Sequence, residues 1–278
     1  MTLRLVTIAM LVGSVALAQT KPSSRPGGEI VPPARRDVPG QRITISQGEL
    51  FIPDFAKRGE QIDVVIWFLG ATWCIEQVFY DADRDAAILS VNAQTLKAGF
   101  ADSAAFDSLL AEVHRAAGAR VGKVVLGSFS GGYTAVRDLL RHEQIAKRVS
   151  DVVLADSLYA PKQNGVVDDA AMKPFLDFAR RARDGECRFI YSQLCPPLEE
   201  HRGNTTTLTA MYLIDKLGLE RTPGQGKSSR GAVILYRAER GGCRIFGYAG
   251  MTNQDHFDHL YGAADLFRMT SLNAKDAP

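Results

Sequence analysis

Val124-Val125-Leu126-Gly127-Ser128-Phe129-Ser130-Gly131-Gly132-Tyr133 is the stretch on which the fold of this chain turns. It leaves an apolar run, Val121–Leu126, that suits a buried strand, and enters an amphipathic stretch, Gly132–Glu143, that suits a helix. Ser130 lies between the two, with a small residue two places to either side, Ser128 and Gly132. A side chain displayed at the tip of a sharp strand-turn-helix junction needs such neighbours, because the turn brings backbone segments too close together for bulk. The stretch therefore reads as an exposed nucleophile, with a plain tight turn or an anion-cradling loop at a helix N-terminus as the competing readings. A dinucleotide loop is a poor fit, since Gly127, Gly131 and Gly132 lack the Gly-x-Gly-x-x-Gly spacing.

Outward from this junction, short apolar runs alternate with longer amphipathic ones. Strands are predicted at Ile62–Leu69, Ala86–Val91, Val121–Leu126, Val149–Ala155, Arg188–Ser192 and Gly231–Tyr236, and helices at Asp102–Ala117, Gly132–Glu143, Asp168–Arg183 and Thr207–Leu217. Antiparallel hairpins are predicted around Gln47-Gly48 and around Arg240-Gly241-Gly242. Near-continuous apolar strands separated by helices indicate an α/β fold, with a mostly parallel central sheet and helices on both faces.

With this order of elements and this serine junction, residues 42–270 resemble the α/β-hydrolase superfamily. Its elbow is Gly-x-Ser-x-Gly, and Ser128 stands here in place of the first glycine. The resemblance implies a serine hydrolase, with Ser130 as nucleophile and a histidine beyond the last strand as general base. A carboxylate between them in the chain would complete the order Ser, acid, His. Of five histidines, His256 and His259 occupy that place, in Asn253-Gln-Asp-His-Phe-Asp-His-Leu260. His256 is preferred because it is nearer the strand end. The pair would also suit a metal at i, i+3, but no further ligands accompany it, so no metal is expected. Asp156, at the end of a predicted strand, is the chosen acid, with Glu199, Glu200 and Asp255 as alternatives. The oxyanion hole would use the amide of Gly131 and the turn Gly70-Ala71-Thr72.

Composition narrows the possible partners. The 278 residues, 46% hydrophobic and 23% charged, suit one soluble domain, and 33 basic against 31 acidic residues leave no basic footprint for nucleic acid. Residues 1–18, with Arg4, an apolar run and Ala16-Leu17-Ala18, read as a signal peptide rather than a retained anchor, because the run is shorter than the about 20 residues of a membrane span. Residues 19–40, rich in Pro and Arg, read as a flexible linker before a domain over 41–278. A secreted or periplasmic location follows, without stable membrane insertion after the signal is removed. In that compartment Cys187 and Cys243 are placed to bridge, as are Cys74 and Cys195.

Two further patterns fail. Gly224-Gln-Gly-Lys-Ser228 has Arg221 where a phosphate loop needs glycine, and Asp81-x-Asp83-x-Asp85 has Ala86 at the glycine position of a calcium loop. The expected activity is cleavage of an ester, less readily an amide, in a small-molecule, carbohydrate or lipid substrate, through an acyl-enzyme and without a cofactor. Trp73, Phe79, Tyr80 and Tyr159 are candidates to line the mouth of the site. The rival is an exported binding protein of the same fold without turnover. Protein recovered from the extracellular or periplasmic fraction should begin at or near Gln19 by N-terminal sequencing, whereas intact Met1 on a membrane-bound product would contradict the signal-peptide reading.

Overall fold

A computed structural model describes residues 28–56, 59–91, 102–163, 166–196 and 206–275. Its strands are β1 (Gly40–Ile45), β2 (Gly48–Pro53), β3 (Gln61–Phe68), β4 (Ala87–Val91), β5 (Arg120–Phe129), β6 (Val149–Ala155), β7 (Lys162–Gln163), β8 (Val166–Val167), β9 (Arg188–Cys195), β10 (Arg221–Pro223), β11 (Ile234–Arg240) and β12 (Cys243–Ala249). Its helices are α1 (Thr72–Asp81), α2 (Ser103–Ala117), α3 (Tyr133–Leu140), α4 (Glu143–Arg148), α5 (Asp169–Arg183), α6 (Thr206–Leu217), α7 (Asn253–Tyr261) and α8 (Ala264–Phe267).

Ten of the strands form one sheet in the order β1-β2-β4-β3-β5-β6-β9-β12-β11-β10, and β7 with β8 makes a separate small hairpin. The centre, from β4 to β12, is parallel, while the two hairpins at the edges are antiparallel. The strands are apolar on both faces because both are covered. Val64, Ile66 and Phe68 of β3 enter a core with α2 to α6, whereas Val65 and Trp67 enter another with α1, α7 and α8. The fold is thus of the α/β-hydrolase kind that the sequence implied.

Several local expectations need correction. The helix expected over Gly132–Glu143 begins at Tyr133 after a 3₁₀ turn, and breaks after Leu140 into α3 and α4. The strand expected at Gly231 begins at Ile234, and α1 occupies a stretch where no helix was predicted. Within the proposed linker, residues 31–38 are tied down. Val31 exchanges hydrogen bonds with Gln254, Gln77 bonds both Ala34 and Arg36, Arg36 pairs with Asp81, and Val38 is buried. Residues 1–27, which hold the signal peptide and the rest of that linker, lie outside the described residues, as do Glu199, Glu200 and His201.

The expected disulfides are also absent, because all four cysteines are free. Strand register explains the first pair, since Cys243 sits opposite Phe189 and not Cys187. Cys74 lies inside α1 and Cys195 ends β9. Burial pushes the Cys187 thiol up to about 11, and burial together with the neighbouring Cys187 pushes Cys243 to about 12, so both are held protonated.

Trp67 anchors the sheet centre. Its ring lies over Gly127 of β5, where any Cβ would overlap it, and packs 5.2 Å from the Phe267 ring. Trp67→Ala should lower unfolding free energy by about 3–5 kcal/mol in urea titration. A loss below about 1 kcal/mol would show that the ring does not carry this contact.

Candidate active site

β5 ends at Phe129, and Ser130 follows with φ +51°, a left-handed conformation that costs a residue with a Cβ about 1–3 kcal/mol. The chain then turns through Ser130–Gly132 into α3. Gly132 is required by sterics, because a Cβ there would overlap the Phe68 carbonyl oxygen and lie 3.1 Å from Ser128 Cβ. The flanks are small for the reason the sequence suggested, and Ser128 fits because the residue facing it has no side chain.

The neighbouring strand β6 ends in a similar way. Ser128 and Phe129 pair with Leu154 and Ala155, so Ser130 and Asp156 are the next residues on adjacent strands. Asp156 also has positive φ, +40°, which Asp tolerates better than most residues. Its carboxylate is fully buried and well bonded. Oδ1 accepts from the Leu194 amide at 3.0 Å and the Thr206 hydroxyl at 2.5 Å, while Oδ2 lies 2.5 Å from His256 Nδ1. A carboxylate accepts and does not donate, so Nδ1 carries the hydrogen, which in the neutral imidazole leaves the lone pair on Nε2.

His256 is held from a second direction by Phe129, whose ring stacks on the imidazole at 4.5 Å and 29°. The residue before Ser130 therefore touches the ring of His256. No hydrogen bond joins Ser130 to His256 among the described residues. Two of the alternatives, His259 and Asp255, have other partners. His259 Nδ1 is 2.8 Å from Ser192 Oγ, and its ring meets Tyr248 edge-on. Asp255 forms the capping box of α7, with Oδ2 accepting from the Met251 and Thr252 amides and the Thr252 hydroxyl. Burial alone would raise the Asp255 carboxyl, but these bonds and nearby His259 bring it below its ordinary value.

Across the elbow, the turn from β3 into α1 contains Leu69 at φ +71° and Gly70 at +139°. It is pinned by the bond from Trp67 Nε1 to the Leu69 carbonyl, 2.9 Å, and from the Leu69 amide to Val91, 3.1 Å. Leu69 Cδ2 lies 3.9 Å from the Cβ position of Gly131, so the Leu69 side chain reaches the elbow. Among the suggested aromatics, Phe79 is fully buried in the core, whereas Trp73 is half-buried under Arg35, and Tyr159 faces Tyr133 at 5.9 Å. No group of three or more His, Cys, Asp or Glu among the described residues is placed to hold a metal ion.

Two supports of this site, the Thr206 hydroxyl and the Leu194 amide, left no trace in the sequence pattern. Both come from segments remote from Asp156 in the chain: Leu194 meets it because β6 and β9 are neighbours, and Thr206 because the start of α6 is tied to β9 through the bond from the Thr207 hydroxyl to the Leu194 carbonyl. Phe129 was within the quoted motif, but its stacking depends on where α7 lands.

No known family profile matches the chain, and neither does any curated protein. Among solved structures it is similar to the siderophore hydrolase EstB from Aspergillus nidulans, at 10% identity over 88% of this chain and 100% of that one, with a TM-score of 0.48. It is also similar to the esterase domain of a Rhodothermus marinus protein, at 10% identity over 82% and 96% and a TM-score of 0.44. A third is carboxylesterase CesB from Bacillus subtilis, at 9% identity over 84% and 90% and a TM-score of 0.41. These likenesses are distant, and the chemistry of this chain rests on its own side chains.

Gly132→Ala should destabilise the protein by about 1–3 kcal/mol, because its methyl must displace the end of β3. Thermal unfolding measures this, and a wild-type midpoint would show that the elbow does not press on Phe68.

Proposed function

We propose that this chain is an exported serine hydrolase that cleaves carboxylic esters, less readily amides, through an acyl-enzyme. The observation that carries the reading is the 2.5 Å contact between His256 Nδ1 and buried Asp156, next to a serine held at positive φ. With its hydrogen on Nδ1, His256 has Nε2 free to take the Ser130 proton as Oγ attacks the substrate carbonyl. Imidazolium is then stabilised by the Asp156 charge. Negative charge on the carbonyl oxygen would be met by the Gly131 amide and by an amide of Gly70 or Ala71. His256 next gives its proton to the leaving alkoxide, activates water against the acyl-Ser130 ester, and returns the proton to Ser130. No step calls on a cofactor. Substrates of this reading are small-molecule esters, including esters of sugars or lipids.

Turnover of a small activated ester by purified variants tests the assignment. Ser130→Ala should abolish it, and His256→Ala should lower kcat by about three orders of magnitude or more. Asp156→Asn should lower kcat by up to about 10⁴-fold, because an amide facing Nδ1 moves the imidazole hydrogen to Nε2, where the base is needed. Circular dichroism checks that each variant is folded. Full activity in Asp156→Asn with collapse in Glu199→Gln, Glu200→Gln or Asp255→Asn would move the acid, and a folded wild type inert to activated esters would leave the binding-protein reading.

A further inference from the structure

Ser128 and Ser157 are fully buried hydroxyls with no part in the proton transfers above. Ser157 Oγ donates to the backbone carbonyl oxygen of Ser130 at 2.8 Å, and Ser128 Oγ lies 2.7 Å from Ser157 Oγ. A hydroxyl has one hydrogen, and a carbonyl oxygen can only accept. The Ser157 hydrogen is therefore committed to Ser130, so Ser128 must be the donor to Ser157. The result is a directed relay from Ser128 through Ser157 to the carbonyl of the nucleophile residue.

We propose that Ser157, supported by Ser128, is a positioning residue that holds the Ser130 backbone in its left-handed conformation and so aims Oγ at the substrate. The inference rests on Ser130 being the nucleophile. A residue with a Cβ at φ +51° stays there only if its surroundings fix it. With the Ser130 nitrogen fixed at the end of β5, any relaxation of φ swings its carbonyl, and the carbonyl is the group that Ser157 grips. Both serines are at 0% exposure, so solvent does not compete for their hydroxyls. Ser157 also follows Asp156 directly, so one turn sets the positions of the acid and of the nucleophile's backbone. The relay gives Ser128 a reason to be serine: glycine there would leave the elbow sterically sound but remove the donor to Ser157.

The test compares Ser157→Ala, Ser128→Ala and the double variant, measuring kcat per site titrated with a serine-reactive phosphonate, KM, and urea midpoint. Ser157→Ala should lower kcat by about tenfold or more with KM within about twofold, as expected when a reacting atom is misplaced. Ser128→Ala should lower kcat by less, and the double variant should match Ser157→Ala, because Ser128 acts only through Ser157. Unchanged kcat per titrated site in Ser157→Ala, with stability alone reduced, would overturn positioning in favour of packing. Independent, multiplying losses in the double variant would overturn the relay. If Ser157→Ala does not fold, Ser128→Ala decides by the same split: reduced kcat with KM kept supports the proposal, and unchanged kcat overturns it. Ser130→Ala separates the two levels, since activity retained there defeats the nucleophile reading itself, whereas an inactive Ser130→Ala beside a full-rate Ser157→Ala defeats only the positioning role.

Discussion

Two adjacent parallel strands, β5 and β6, end side by side, and the residue after each is forced to positive φ. Everything else at the site follows from that constraint. Ser130 is lifted off the sheet edge by one turn, and Asp156 is turned into the protein by the other. The strain is held by backbone and buried side chains: the β6–β9 ladder continues through the Asp156 amide to Ser192 at 2.8 Å, and Leu194 and Thr206 close on the carboxylate. Conformations of this cost are retained where the surroundings over-determine them, and here the surroundings are the sheet itself.

The sheet was readable from the sequence because its strands are covered on both faces. Ile62–Leu69, polar only at Asp63, and Val152–Ala155 are apolar runs of the kind that suits strands buried on both faces. The elbow was readable because sterics at Gly132 leave a compositional trace. Disulfides were not readable. Cys243 starts β12 and Cys187 directly precedes the neighbouring β9, but a two-residue offset in register, invisible in composition, places Cys243 against Phe189. Within the expected linker, residues 31–38 are held by Gln77, Asp81 and Gln254 through polar contacts, which leave none of the apolar periodicity that marks a packed element.

The choice between His256 and His259 shows where one-dimensional reasoning stops. Both lie on α7 and both are buried, and a helical turn separates them. Only the landing of α7 against the sheet edge decides that His256 reaches Asp156 while His259 bonds Ser192. Asp255, adjacent to His256 in the chain, is absorbed by the N-terminus of its own helix. Burial of the Asp156–His256 pair beside Phe129 shields the hydrogen bond and fixes the imidazole plane, the arrangement that the base role proposed for His256 requires.

The most direct measurement of the account is the site of covalent capture. Folded protein treated with a serine-reactive phosphonate, digested and mapped by mass spectrometry should carry a single adduct, on Ser130, and His256→Ala should form it far more slowly. An adduct on Ser128 or another serine, or none on folded protein, would contradict the assignment of Ser130 as nucleophile.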